Sequence, residues 1–317
     1  MKRIEWLDAG RGVSIILVVM YHVILMSNQM GVEVARIYEQ LNEPIQLVRM
    51  PLFFSMSALL IGAKLAGDWE AYATKYLAVT AWLFVLWNLI YTVVQGNPSL
   101  WIVTGLFYPP HMTGHLWFLW ALLIYRFGAK VLWPFRLPVI CVLAAISIMT
   151  FERLAGTGDY SFAAKNILKY WVFFAVFSWY GREIAREIDK RPWLFLGAAL
   201  CLAAVCWTIW FRFGIAVGGV IAAICLSIMI ARHLSLVTKC FSWFGRSSLE
   251  IFLLHIMALM ALIPLFAGVP LIGVLGVPML TFLSIFASIG LHRIINPIAP
   301  WMFAMPRFGR PLTERKS

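Results

Sequence analysis

Charged side chains are scarce in this sequence. Only 13% of the 317 residues are Asp, Glu, Lys or Arg, whereas 62% are hydrophobic. A soluble domain carries about 25% charged residues, so this composition cannot supply a surface that faces water all round. Lipid must therefore solvate much of the chain, and we predict an all-α fold, a polytopic transmembrane helix bundle of about ten spans.

The motifs of several enzyme classes are also missing. The sequence has no G-x-S-x-G elbow, no P-loop and no H-E-x-x-H, which leaves serine hydrolases, nucleotide hydrolases and zinc proteases without support. The five cysteines form no C-x-x-C pair and have no histidine at ligand spacing, so we predict neither a disulfide nor a metal site. Basic residues do not cluster with aromatic residues outside the apolar segments, and we expect no nucleic-acid partner.

The sequence does contain a series of long apolar segments. A helix needs about 20 apolar residues to cross a bilayer, and ten segments approach that length: 12–27, 45–61, 76–94, 114–132, 137–150, 167–181, 193–210, 215–230, 249–266 and 274–294. The apolar stretch 98–110 is short and bounded by proline, so we expect it to lie in the interface or to re-enter the membrane. No internal repeat or soluble domain is visible, and residues 1–317 are read as one integral membrane domain.

The basic residues are unevenly divided between the two predicted faces. With ten spans, the face that holds both termini carries 20 of the 26 Lys and Arg residues. Loops rich in Lys and Arg stay in the cytoplasm, where they also meet anionic lipid headgroups. We therefore predict a multi-pass protein of the inner or plasma membrane with both termini in the cytoplasm, since outer membranes hold barrels.

Titratable side chains inside the spans are few, and each is a candidate functional residue. Arg11 and His22 lie on one stripe of the first span, about 16 Å apart along the helix axis. A neutral imidazole can act as a general base toward a hydroxyl, and a guanidinium can bind phosphate bidentately. A positive-inside anchor and a structural histidine explain the same two residues equally well. Asp8 could hold Arg11, orient an imidazole, or simply be an acidic residue near a helix start.

Further candidates lie toward the outer ends of the second and fourth spans. Arg49 stands just inside the second span, where the positive-inside bias gives no reason for it. His115 and Trp117 open the fourth span, where they could line an outer substrate entrance with the tryptophan stacked on a sugar ring. An aromatic belt at the interface is the competing explanation for these two residues.

The ninth span carries the last candidates. His255 lies about two turns in from its cytoplasmic end, and Ser248 shares the same helix face. Glu250 lies on a different face and nearer the interface, where a salt bridge to a loop arginine is the simpler explanation. We keep His255 and Glu250 as candidate substrate-binding residues.

Four stretches resemble the membrane acyltransferase 3 family. The first is IEWLDAGRG at 4–12 running on to 21–22, in which Arg11 and His22 have the family's spacing of an arginine, ten residues and a histidine. MPLFFSMS at 50–57, HLWFLWAL at 115–122 and GRSSLEIFLLH at 245–255 are similar to its second-, fourth- and ninth-helix signatures. The four stretches follow one another in the family's order.

This resemblance implies transfer of an acyl group, usually acetyl, from cytoplasmic acyl-coenzyme A (acetyl-CoA) to a hydroxyl of a cell-surface, exported or lipid-linked glycan. His22 would be the catalytic base or a transient acyl carrier, and Arg11 would help bind the donor. The short chain is most similar to sugar O-acetyltransferases, and no metal is implied. One departure concerns the arginine-rich run that often precedes the third span. Only Lys75 stands there, a point charge without the bidentate fork of arginine.

Two other functions compete with this one. A secondary transporter or exporter often shows related halves and interrupted helices, whereas this sequence has no repeat, and among carboxylates only Glu250 comes near mid-span. A non-catalytic assembly protein would leave Arg11 and His22 without a role, so that replacing either residue would have no effect.

Overall fold

The computed structural model describes residues 5–94, 114–153, 162–266 and 275–306. All regular structure in these ranges is helical and none is β-strand, which confirms the predicted fold class. The predicted interfacial segment 98–110 lies outside the described residues.

The helices follow the apolar segments closely. In the described ranges they are α1 (Glu5–Gln29), α2 (Arg36–Leu59), α3 (Trp69–Tyr72), α4 (Val79–Val94), α5 (Trp117–Val131), α6 (Arg136–Glu152), α7 (Phe162–Lys190), α8 (Pro192–Thr208), α9 (Arg212–His233), α10 (Ser235–Arg246), α11 (Ser248–Leu262) and α12 (Gly276–Ile295). A π-helix, Ala73–Ala78, joins α3 to α4, and a single 3-10 turn, Gly114–Leu116, precedes α5.

Seven of these helical segments are long and apolar enough to cross a membrane. They contain α1, α2, α4, α6, α9, α11 and α12. Helices α7 and α8 pass the same test only as a pair, and they meet at a bend of 109°. Helix α5 has 15 residues and falls short of the length required. Each predicted span thus corresponds to a helix, while the count of ten spans stays a prediction.

Helix α1 is the centre of the bundle. It packs against α2, α9, α10, α11 and α12. Apolar side chains all round a helix are typical of one that is enclosed by other helices, and the buried residues Leu7, Ile15, Ala9 and Ile24 lie on different sides of α1. The polar residues of α1 consequently face other protein segments, which is the setting a functional site requires.

Helix α10 is an element that the search for apolar spans does not predict. It has 12 residues, too few to cross a bilayer, and it is amphipathic. It crosses α1 so closely that a Cβ on Gly245 would lie 1.8 Å from the carbonyl oxygen of Asp8, and a Cβ on Gly12 would lie 2.0 Å from that of Phe241. Glycine is therefore required at both positions for the two backbones to approach.

We expect Gly245→Ala to destabilise the protein by about 1–3 kcal/mol or more, because the added methyl group can be accommodated only if α1 and α10 move apart. Gly290→Ala, a helical position where the new methyl group meets nothing within 4 Å, is the matched control. The measurement is the apparent melting temperature of the detergent-purified variants. Equal melting temperatures for the two variants would contradict the close crossing.

The C-terminal segment folds back against α4. The indole nitrogens of Trp82 and Trp87 donate to the carbonyl oxygens of Trp301 and Met302, at 2.9 and 2.8 Å. Phe303 packs edge-on against His292 of α12, with 4.5 Å between the ring centroids. The third and tenth predicted spans are thereby joined on one side of the bundle.

Candidate functional site

Two histidines from distant parts of the chain meet inside the bundle. His22 of α1 and His255 of α11 have ring centroids 4.9 Å apart, and His255 is fully buried. The spacing rule that singled out His22 gives no indication of this partner, because 233 residues separate the two. Arg11 lies beside Ser248 and His22 beside His255, so α1 and α11 run in the same direction.

The hydrogen bonds around this pair determine where the protons lie. Nδ1 of His255 is 3.0 Å from the carbonyl oxygen of Ile251 and 2.8 Å from that of Phe252. Carbonyl oxygens only accept, so Nδ1 carries the proton and Nε2 of the neutral ring is an acceptor. Nδ1 of His22 lies 3.2 Å from that acceptor and 2.9 Å from the carbonyl oxygen of Val18, so it donates to both. Nε2 of His22 is left with its lone pair unprotonated.

His115 completes a cluster of three imidazoles with His22 and His255, which we call the histidine cluster. Its ring centroid is 5.2 Å from that of His255 and 6.2 Å from that of His22. Tyr91 packs edge-on against it at 4.9 Å. The Nε2 atom of His115 is buried and has no hydrogen-bond partner among the described residues. His115 is therefore part of the site, and this nitrogen can contact a bound substrate.

Arg49 adjoins the histidine cluster. It is only 6% exposed, and its guanidinium carbon lies 4.0 Å above the ring of Tyr21, whose own centroid is 5.0 Å from that of His22. Its Nη1 donates to Oδ1 of Asn42 at 3.2 Å. Tyr21 thus contacts both the guanidinium of Arg49 and the imidazole of His22.

Arg11 is held by two side chains at a second level of the site. Its Nη2 donates to Oγ of Ser248 at 2.7 Å, and its Nη1 lies 3.6 Å from Oδ1 of Asp8. Of the roles considered for Asp8, this geometry favours the one in which Asp8 holds Arg11 in place. Asp8 is fourteen residues from His22 on one helix, about 21 Å along the axis, which is too far to orient that imidazole.

Arg126 of α5 adds a second guanidinium to this level, and we call Arg11 and Arg126 together the arginine pair. Nη1 of Arg126 donates to the carbonyl oxygen of Tyr76 at 3.3 Å and to Oγ1 of Thr80. Among the described residues its Nε is buried and has no hydrogen-bond partner. Both arginines stand toward the ends of their helices that the charge distribution assigns to the cytoplasmic face. A group that bound both would be an anion.

Arg126 was not predicted as a site residue; it is one of the 20 basic residues assigned to the face that holds both termini. The sequence could have identified Arg126 as a candidate, because a charged residue within an apolar span is a functional candidate by default. Its neighbours could not be read from the sequence. Tyr76 lies in the π-helix, an irregularity frequent at functional sites, and Thr80 follows one turn later.

The other three predicted site residues have different surroundings. Lys75 is exposed on the π-helix, and its nearest described ring contact is Tyr76, with 5.8 Å from Nζ to the ring centroid. Trp117 is only 7% exposed and packs beside Tyr170 inside the bundle, which places it neither at an open entrance nor in an aromatic belt. Glu250 is half-buried with an unpartnered Oε2, so the expected salt bridge to a loop arginine does not form among the described residues.

The site therefore has two levels on one side of α1. Arg11 and His22 mark them, about 16 Å apart along the helix axis. Helices α4 and α5 run in opposite directions past both levels. Tyr91 of α4 contacts His115, which precedes α5, at the upper level, and Thr80 of α4 contacts Arg126 of α5 at the lower level. In the described ranges no group of three or more His, Cys, Asp or Glu side chains is arranged to hold a metal ion.

The comparisons with known proteins agree with the sequence motifs. The model of the acyltransferase 3 family, described as an acyltransferase domain, matches residues 4–293. That range includes both levels of the site. No curated protein and no solved structure matches the chain. With almost its whole length covered by the family model, and an apolar helix bundle as its fold, this chain is a membrane protein that belongs to the acyltransferase 3 family.

Proposed function

We propose that this protein is an integral membrane O-acyltransferase. It would move an acyl group, most simply acetyl, from cytoplasmic acyl-coenzyme A to a hydroxyl of a cell-surface or exported glycan. The observation that carries this proposal is His22, whose Nδ1 donates to Val18 and His255 while Nε2 keeps its lone pair. Membership of an acyltransferase family favours this function over a transporter, which has no need of an oriented base.

The reaction that this imidazole supports is a single acyl transfer. Nε2 of His22 takes the proton of the acceptor hydroxyl as the oxygen attacks the thioester carbonyl. The C–S bond then breaks, and the proton on His22 passes to the departing thiolate. During the transfer the imidazolium is stabilised by the bonds from its Nδ1–H to Val18 and His255, since hydrogen bonds to charged groups are the stronger ones.

The lower level of the site suits the opposite end of the donor. Coenzyme A carries its phosphates at one end of a long flexible arm and its thioester at the other. The guanidinium groups of Arg11 and Arg126 can bind phosphate, and with both termini in the cytoplasm, as we propose, this level faces the cytoplasm. The arm would then run beside α1 toward the histidine cluster.

The same nitrogen offers a second route, in which His22 carries the acyl group itself. Both routes use Nε2, and they differ in whether an acyl-imidazole accumulates. Incubation with radiolabelled acetyl-CoA without acceptor, followed by acid quench and peptide mapping, distinguishes them. Label on the peptide that contains His22 supports the carrier, and unlabelled protein with continued turnover supports the base.

The proposed function is tested with purified protein in lipid nanodiscs. We expect it to bind acetyl-CoA and to release free coenzyme A slowly, because water replaces the missing acceptor. Butyryl- and palmitoyl-CoA in parallel give the acyl length preferred. Folded protein that binds none of the three donors would contradict the proposal and would revive the transporter alternative.

We expect His255→Ala to lower kcat about 10- to 150-fold with little change in KM for acetyl-CoA. The variant removes one hydrogen bond to the His22 imidazolium, worth about 1.5–3 kcal/mol. His255→Gln keeps an acceptor and a donor on a side chain of similar length and should recover part of the rate. A similar loss in both variants would mean that His255 serves packing rather than the orientation of His22.

A further inference from the structure

Arg49 is a buried cation whose described contacts are all uncharged. These contacts are the ring of Tyr21 at 4.0 Å and the amide oxygen of Asn42 at 3.2 Å. Among the described residues no Asp or Glu forms an ion pair with it. Burying a charge without an ionic partner is destabilising, and a ring face and one neutral amide offset only part of that cost.

The position of this charge bears on the reaction. The ring of Tyr21 is in van der Waals range of both Arg49 and the neighbouring imidazole of His22. Arg49 stands near the end of the second span that the charge distribution assigns to the outer face, the face where a glycan acceptor would arrive. The arginine pair serves the opposite end of the site, so Arg49 is not needed for the donor phosphates.

We propose that Arg49 binds an oxyanion on the acceptor while the acceptor hydroxyl reaches His22. The acceptor is therefore an acidic glycan, whose charge is the carboxylate of a uronic acid type sugar or the phosphate of a sugar phosphate. This inference rests on the proposed function. The planar fork of the guanidinium matches either group bidentately.

A charged acceptor would also assist the chemistry. When His22 takes the hydroxyl proton, a second positive charge forms beside Arg49, and the two repel each other. An oxyanion bound to Arg49 offsets that repulsion, whereas a neutral sugar leaves it in place. Arg49 should thus affect kcat as well as KM, and only for acceptors that carry the charge.

The test uses three sugars of similar size as probes: methyl β-glucuronide, methyl β-glucoside and glucose 1-phosphate. Purified protein is placed in nanodiscs of lipid without net charge, so that no anionic headgroup competes with the sugars for Arg49. One readout is the shift in melting temperature that each sugar causes without donor. The other is the rate of coenzyme A release from acetyl-CoA in the presence of each sugar.

We expect at least one of the two anionic sugars to act at about 10-fold lower concentration than the neutral glucoside, and the more effective one identifies carboxylate or phosphate. Arg49→Gln should remove this preference, and Arg49→Lys should keep part of it. Arg36→Gln, which removes an exposed charge from the same helix, is the matched control and should behave as wild type.

Two results overturn the proposal: a wild-type protein that does not distinguish anionic from neutral sugars, and a preference that survives in Arg49→Gln. Comparison of the three sugars on wild-type protein is decisive even if Arg49→Gln does not fold. Failure of the proposed function is seen separately, as a lack of acetyl-CoA binding, because the melting-temperature readout needs no donor.

Discussion

Replacing His22 with alanine is expected to abolish acyl transfer while acetyl-CoA still binds. The variant removes Nε2 of His22, which is unprotonated because two hydrogen bonds hold the proton on Nδ1. Nε2 of His255 is also unprotonated, but it already accepts a hydrogen bond from His22. General bases contribute about 10²- to 10⁴-fold to a rate. Donor affinity should change little, since Arg11 of the arginine pair lies about 16 Å away along α1. The measurements are donor binding and coenzyme A release on matched nanodisc samples.

Two further variants make this test specific. His233→Ala removes an exposed histidine at the end of α9 and should leave both donor binding and turnover unchanged. His22→Gln fills a similar volume without a base, so a loss equal to that of His22→Ala separates chemistry from packing. Full transfer by His22→Ala would refute the assignment of the base.

Arg126→Gln is expected to raise KM for acetyl-CoA about 10- to 100-fold with a smaller effect on kcat. The guanidinium of Arg126 can form charge-assisted hydrogen bonds to phosphate, each worth about 1.5–3 kcal/mol. Acetyl-N-acetylcysteamine has the same thioester but no phosphate, so turnover of this short donor should be nearly equal in wild type and variant. The ratio of the two kcat/KM values is the measurement.

Matched variants indicate which part of this effect belongs to phosphate recognition. Arg11→Gln should behave as Arg126→Gln does, because the two side chains act at the same level of the site. Arg182→Gln removes an exposed arginine from α7 on the same predicted face and should leave KM unchanged. Equal losses with the long and the short donor would show that Arg126 supports the fold of α4 and α5 rather than binding phosphate.

Much of the fold follows from composition and periodicity. A chain with so few charges must bury backbone polar groups in helices to enter lipid, and each of the ten predicted spans corresponds to a helix. Helix α10 escaped prediction because it is short and amphipathic, and its close crossing with α1 depends on Gly12 and Gly245. The bend between α7 and α8 falls where Pro192 begins the new helix, and the length of an apolar segment does not predict its angle.

Some residues of the candidate site could likewise be predicted from the sequence, and others could not. Arg11 and His22 lie on one helix, where a spacing of eleven residues determines that they share a stripe whatever surrounds them. Lys75 stands where the family often has an arginine-rich run, so the sequence did not show which residue would bind the donor there. In the fold a guanidinium from α5 contacts the same segment, since Arg126 bonds to Tyr76 and Thr80.

By itself, the sequence determined that this protein is a helical membrane protein with an arginine and a histidine aligned on its first span. Those properties depend on hydrophobicity and on the geometry of a single helix, which are local. Only the tertiary structure decided that His255 accepts from Nδ1 of His22, that Arg126 bonds to the segment that carries Lys75, and that no carboxylate of the described residues pairs with the buried Arg49. Each of these is a contact or a missing contact between separate helices, and helix packing alone brings such residues together.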